Sequence, residues 1–332
     1  MKKTTGILIA LWAVIGVAAL GLLIAYATGW GGLFETMVYG TNERELIQEK
    51  SFSPSSVEDI VLSLGSEEIS FHPAEDADIV IKQYGRNLGE NRVLSLSEQD
   101  GKLHIKRNSG VAQFFSFGFI MSQSWVEVYL PEGYDGSLHI GLASGSLTFY
   151  DDISLDELEI ALSSGHIQSE NTLRARDAEI KVTSGRIVLE NLFTESAYLH
   201  TTSGNIDIRA MSGTAEVDVT SGRIKVSELH LGEEFDVKVT SGTVNIGLAG
   251  EPSFRFEGHV TSGTLDTYFD TYSNSRENRK FFADVGENPE SEVTVSVTSG
   301  TVRIDEYTLP PTADTGWNTE GATRAPQGAG RA

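Results

Sequence analysis

Serine is the first residue type in this chain that invites a chemical reading. A Ser-Gly pair recurs at Ser144, Ser164, Ser184, Ser203, Ser221, Ser241, Ser262 and Ser299. A serine nucleophile needs a base beside it, and no histidine stands in register with these serines. His200 and His259 share the column three residues before the serine, but three repeats separate them, about 14 Å if the repeats stack as β-layers. That distance rules out a shared metal or proton relay. His166 and His230 stand alone and read as surface residues. Asp207 and Asp266 share a column with two repeats between them, whereas a polysaccharide-cleaving site needs acids on adjacent layers under long loops. Asp151-Asp152, at a turn, reads as a solvated pair rather than a Ca²⁺ ligand set. The chain contains no H-E-x-x-H, G-x-G-x-x-G, P-loop or G-x-S-x-G. The expectation is therefore no catalytic residue, no metal ligand, no bound cofactor and no enzyme. Loose attraction of Ca²⁺ to the acidic surface is left without a ligand motif to support it.

Composition narrows the partners. The 332 residues hold 25 Lys+Arg against 47 Asp+Glu, a formal charge of -22, which repels nucleic acid. There is no cysteine, so disulfides, thiolate chemistry and thiolate-bound zinc are excluded. At 39 % hydrophobic and 22 % charged, the chain has material for a core.

Residues 1–5 read as a cytoplasmic N-terminus, and the uncharged stretch 6–28 reads as a membrane-spanning helix. Its length as a helix, about 34 Å, exceeds a hydrocarbon core of roughly 30 Å. Lys2 and Lys3 favour an inside N-terminus, and Trp30 suits the outer interface. The competing reading is a signal peptide cleaved after Ala27, since Ala25-Tyr26-Ala27 forms an A-x-A site. Under either reading the remainder is exported: the expected location is the cell membrane, single-pass, with an extracytoplasmic C-terminal part. Residues 29–56 read as a juxtamembrane linker.

The positioning elements follow from the repeat itself. Aligned on the serine, the positions four and two before it and three and five after it are apolar, with only Thr201, Gly258, Ser169 and Thr267 departing. That is period-two alternation on both arms of a corner, the pattern of strands with one buried face. Gly145, Gly165, Gly185, Gly204, Gly222, Gly242, Gly263 and Gly300 are read as structural turn residues, expected to need a positive φ. A two-residue hairpin would pair Val182 with Ile187. A solenoid would instead stack equivalent arms in parallel, one repeat of about twenty residues per turn. The near-constant period favours the solenoid, as does an apolar or small residue six before each serine. The fold class is thus all-β: a single-stranded β-helix over residues 57–309, preceded by one transmembrane helix, with eight marked rungs spanning about 35 Å.

Upstream strands at 59–71, 78–84, 102–106 and 125–130 read as part of the same β-structure. The aromatic segment 114–119 reads as a loop over an open core end, with membrane or partner contact as the alternative. Residues 266–289 read as an insertion or a degenerate rung, and the Pro/Gly/Thr/Ala-rich tail 310–332 is expected to be disordered.

The repeated Val-Thr-Ser-Gly-x-[Ile/Val]-x-[Ile/Val] block, the Val126-Glu127-Val128-Tyr129-Leu130-Pro131 strand and the N-terminal apolar helix resemble the bacterial putative-adhesin family that includes LiaG-like envelope proteins. The resemblance spans roughly residues 57–307 and implies a β-helical extracytoplasmic domain without catalytic residues. It points to a membrane-anchored adhesion or scaffold module of the cell envelope, linked to envelope stress, with an envelope protein or glycan as partner and with homo-oligomers as a further form. The alternatives are a polysaccharide-active β-helix enzyme and a self-assembling structural filament.

Overall fold

Alternate burial turns each arm of the repeat into a strand. Around Ser184, Ile180, Val182, Ile187 and Leu189 are at most 1 % exposed, while Lys181 and Arg186 face water. The computed structural model describes residues 44–86, 93–107, 123–267, 273–277 and 280–307. The proposed spanning helix, the aromatic segment 114–119, the tail and part of the linker lie outside the described residues. Among the described residues no helix is long and apolar enough to cross a membrane.

The fold is all-β. Seven strands precede the regular coil: β1 (Glu45–Phe52), β2 (Asp59–Leu64), β3 (Glu68–Pro73), β4 (Ile79–Arg86), β5 (Leu94–Gln99), β6 (Lys102–Arg107) and β7 (Gln123–Leu130). The coil comprises β8 (Ser137–Phe149), β9 (Ile153–Val182), β10 (Arg186–Thr201), β11 (Asn205–Val219), β12 (Arg223–Val239) and β13 (Thr243–Leu248). Then come β14 (Phe254–Val260), β15 (Thr264–Thr267), β16 (Ser273–Glu277), β17 (Lys280–Val285), β18 (Ser291–Val297) and β19 (Thr301–Glu306).

Neighbouring repeats pair in parallel on both arms. Val182 pairs with Thr201, and Ile187 pairs with Ile167 on one side and Ile206 on the other. The hairpin partnership of Val182 with Ile187 does not occur, so the chain winds as a solenoid. A further side of the coil escapes fixed-register alignment. Leu173, Leu192, Met211, Leu229 and Leu248 stack in one column, each at most 1 % exposed. The column begins nine residues after Ser164 but lies only seven after Ser241, so a register set on the serine loses it.

Both ends depart from sequence order. The two arms that flank Ser241, the end of β12 and β13, pair not with the Ser262 rung but with β18 and β19, which in turn pair with β14 and β15. The Ser299 rung therefore lies between the Ser241 and Ser262 rungs. At the other end β2 and β3 lie between β8 on one side and β6 and β7 on the other. Of the two readings of the 266–289 segment, the insertion is the one the pairing fits: its β17 turns antiparallel along β14 and adds no parallel rung. β16 adds a second antiparallel strand to β17. At the N-terminal end β4 runs antiparallel to β7, β1 to β4, and β5 to β6. A fully buried Gln83 stitches this end together. Its Oε1 accepts from Gln48 Nε2 and from the Leu94 N–H, both at 2.9 Å, and its Nε2 donates to Ser124 Oγ at 3.1 Å. A single-stranded coil in sequence order accordingly describes the middle of the solenoid and not its ends.

Candidate functional site

The repeated glycines were expected to require a positive φ. Only Gly145 and Gly165 have one, 140° and 127°. At Gly185, Gly204, Gly222, Gly242, Gly263 and Gly300 the backbone is not in that region, and the reason for glycine is proximity to the next rung. A Cβ on Gly204 would lie 2.6 Å from Gly185 O; on Gly242, 2.5 Å from Gly222 O. The corners stack glycine on glycine, and the serine N–H groups donate rung to rung at 2.6–2.8 Å, as from Ser203 to Thr183 O and Ser241 to Thr220 O. The serines sit exposed on this ridge.

The isolated candidates stay apart. His200 Nδ1 lies 3.6 Å from Asp218 Oδ2 on the next rung. From there the column runs through Lys238 and Ser296 to His259. The inserted rung makes the separation from His200 four layers rather than three, about 19 Å. It likewise moves Asp266 four layers from Asp207, with Lys225, Asn245 and Arg303 between them. His166 meets Gln168, and His230 meets Glu228. Asp152 is a clip between layers: its Oδ1 accepts the Thr172 N–H at 2.8 Å, and Arg174 lies 3.8 Å away. Among the described residues no group of three or more His, Asp or Glu is placed to hold a metal ion.

A shaped site forms where the inserted rung meets the loop after β7. Tyr129, His72 and Tyr150 stack one per layer, with ring centroids 5.1 and 4.9 Å apart and planes within 25°. Lys82 Nζ lies 5.0 Å from the centre of the Tyr129 ring. His72 Nε2 is 2.8 Å from Ser70 Oγ, and Tyr129 donates to Glu127 at 2.8 Å. Burial lowers the His72 pKa, opposed by the Glu127 charge, so the imidazole is held towards its neutral form. Beside this column opens a cavity of about 520 Å³ between Pro131–Asp135 and Asp151–Ser154. A second, of about 600 Å³, lies against the same Pro131–Asp135 segment and reaches Glu58 and Asp156. Tyr134, 8 % exposed, donates to Glu58 O at 3.2 Å, and burial together with Asp59 and Asp135 raises its pKa.

Reading along the sequence missed this site because its parts are distant in the chain. His72, Tyr129 and Tyr150 come together only because β3 slots between β7 and β8. Pro131 stands at the end of its strand in the sequence, but nothing in its spacing shows what the segment after it would face.

The family model described as Toastrack DUF4097 matches residues 57–305. No curated protein matches the chain. Among solved structures, a "putative adhesin" from Parabacteroides distasonis is 15 % identical with a TM-score of 0.50, covering 80 % of this chain and 98 % of its own. A "putative adhesin" from Bacteroides fragilis is 14 % identical, TM-score 0.45, with coverage of 79 % and 98 %. A protein from Parabacteroides distasonis titled "Putative lipid binding protein" is 16 % identical, TM-score 0.48, with coverage of 80 % and 98 %. At 15 % identity, the likeness to the first of these is one of fold alone.

Proposed function

Since the chain belongs to the Toastrack DUF4097 family, we propose that it is a non-catalytic adhesion or scaffold module of the bacterial cell envelope. In this reading the module is exported, held at the membrane by the 6–28 segment, and coupled to envelope stress as in LiaG-like proteins. The observation that carries it is the capped rod. Ten layers, counted among the described residues, give a stack about 45 Å long. Antiparallel strands cover β6 and β7 at one end and β14 at the other. A parallel solenoid with open ends would template another copy end to end. These strands cover most of that template and leave mainly the lateral faces and corner loops to partners, which counts against the filament alternative. The spread of Asp207 and Asp266 over four layers weighs against the glycan-cleaving alternative.

The test is co-sedimentation of the purified full chain with washed bacterial envelopes, alongside protease treatment of intact cells. Saturable retention and cleavage from outside are expected. A chain that stays in the supernatant would remove the adhesion reading, and release of glycan reducing ends would replace it with the enzyme.

A further inference from the structure

We propose that the lateral face formed by the strands that follow the serines binds an anionic glycan carrying one carboxylate per disaccharide. The proposal deepens the adhesion reading and rests on it. Charge is divided unevenly between the two arms of the coil. From the Ser184 layer to the Ser299 layer, the outward positions two and four after the serine hold Arg186, Arg223, Lys225 and Arg303 against a single acid, Asp207. The outward positions three and five before it hold Glu179, Glu216, Asp218 and Asp236 against Lys181 and Lys238. Both of those lysines are taken up, by Glu179 and Glu216. The side chains of Arg186, Arg223 and Lys225 are exposed and have no partner among the described residues. In a chain with 47 acidic residues, three cations left unpaired on one face mark a surface kept for an anion.

Spacing selects the ligand. Arg186 and Arg223 bracket Asn205 in one column, and Lys225 and Arg303 bracket Asn245 in the next, with Arg303 4.0 Å from Asp305. Cations therefore recur every second layer, a step of about 9.6 Å. That step is close to the length of one disaccharide in an extended β-linked glycan, whose successive repeats present the same side. A uronate on each repeat then meets a cation each time, and arginine pairs with a carboxylate through two parallel N–H groups. A polyol phosphate chain sets its charges closer together, so the spacing favours the glycan. The sugar between two uronates falls at the Asn245 layer. There Gly247 lies between Ser227 and Asp305, and the missing side chain opens a recess of about 280 Å³ lined by Lys225, Asn245, Asp305 and Tyr307. An acetamido group in that recess donates its N–H to the Asp305 carboxylate. The acidic arm of a second copy fits this face less well, because its Lys181 and Lys238 would confront the arginines.

The full chain is titrated calorimetrically with a hexasaccharide alternating glucuronate with N-acetylglucosamine, with the neutral N-acetylglucosamine hexamer and with a glycerol phosphate hexamer. The uronate hexasaccharide is expected to bind saturably, the glycerol phosphate hexamer more weakly and the neutral hexamer not at all. Raising salt from about 0.15 M to about 1 M should weaken the binding. Arg186→Gln, Arg223→Gln and Lys225→Gln together should weaken it at least tenfold without changing the melting temperature, whereas Lys106→Gln, at an exposed position on the opposite arm, should leave it as in wild type. Absence of uronate binding, equal binding by wild type and triple variant, equal weakening by Lys106→Gln, or binding as tight by either other hexamer would each overturn the assignment. A wild-type dimer in sedimentation that the triple variant abolishes would also overturn it and give the face to a second copy. Envelope co-sedimentation separates the two readings. Wild type retained on envelopes yet blind to the uronate hexasaccharide removes this face and leaves adhesion standing; wild type not retained removes adhesion itself.

Discussion

Replacing Gly204 with alanine tests whether the corner glycines are there for backbone freedom or for contact between layers. The added Cβ would sit 2.6 Å from Gly185 O and closer still to Val182 Cγ1. Ordinary carbon–oxygen contact is about 3.3–3.6 Å, so the rung must open by roughly 0.7 Å against a layer spacing of about 4.8 Å. Two hydrogen bonds flank the site, Asn205 N–H to Gly185 O and Arg223 N–H to Gly204 O, each 3.0 Å. Overpacking costs about 1–3 kcal/mol, and weakening both bonds adds about 1 kcal/mol. The expected loss is therefore about 3 kcal/mol, or about 6–12 °C in melting temperature for a domain of this size. Gly133→Ala supplies the contrast, because Gly133 has φ 81° and a methyl group added there would meet nothing within 4 Å. It should cost only the left-handed backbone penalty, about 1–2 kcal/mol. Exposed Asn205→Ala serves as the neighbouring control. Urea unfolding followed by circular dichroism ranks the three. Gly133→Ala costing as much as Gly204→Ala would refute the contact explanation.

Thr201→Val should stabilise the fold by about 1 kcal/mol, since Thr201 is 0 % exposed and its Oγ1 has no hydrogen-bond partner; an unchanged or lower unfolding midpoint would count against that. Gly258→Val should destabilise alone, because its Cβ would meet Leu265 Cδ2 at 2.7 Å and the Phe256 ring at 3.0 Å. Combined with Phe256→Ala, which recreates the small-then-branched pair of Ala178 and Ile180, the double variant should be more stable than the sum of the singles by about 1 kcal/mol or more; strict additivity would show that the two positions do not share space. His72 supplies the pH-dependent case. Its folded pKa is lowered from 6.5, so the unfolded chain takes up the proton first and the stability His72 contributes is lost as pH falls below about 6.5. His72→Phe keeps a ring in the stack, and melting temperatures at about pH 8 and about pH 5 should fall less for it than for wild type; parallel losses would place the acid sensitivity elsewhere.

The core of the solenoid was legible because its rule is local. Each arm alternates, each corner carries the same pair, and burial follows: Ile160, Ile180, Leu199 and Val217 fill one column at 0 % exposure. Thr201 and Ser169 break the apolar pattern yet are buried at 0 % and 3 %. Ser169 is satisfied by Asn171, its hydroxyl donating to Asn171 O and accepting the Asn171 N–H, whereas Thr201 has no such partner. The repeated glycine was legible as a corner, but its cause was not. A φ requirement lies within one residue's own backbone, whereas contact with the adjacent layer exists only after stacking. The cleft at the N-terminal end is illegible for the same reason, since its walls come from three layers whose order the chain does not state.

Layer order is where a repeat is least informative. Every rung offers the same apolar columns, so parallel pairing alone accepts any neighbour. What breaks the tie is the quality of each rung. The Ser299 rung fills its columns with Val293, Val295, Val297, Val302 and Ile304, all at most 1 % exposed. The Ser262 rung carries Gly258 and the exposed Thr267 in the same columns, and its Leu265 is only half-buried. A layer with gaps loses least at the end of a stack, where it has one parallel neighbour instead of two. The better rung therefore gains more by sitting inside, and the 37-residue spacing between Ser262 and Ser299 gives the chain enough length to run past and return. Gly258 and Thr267 were already visible as departures from the repeat: they mark the terminal layer, although its serine is not the last in the sequence.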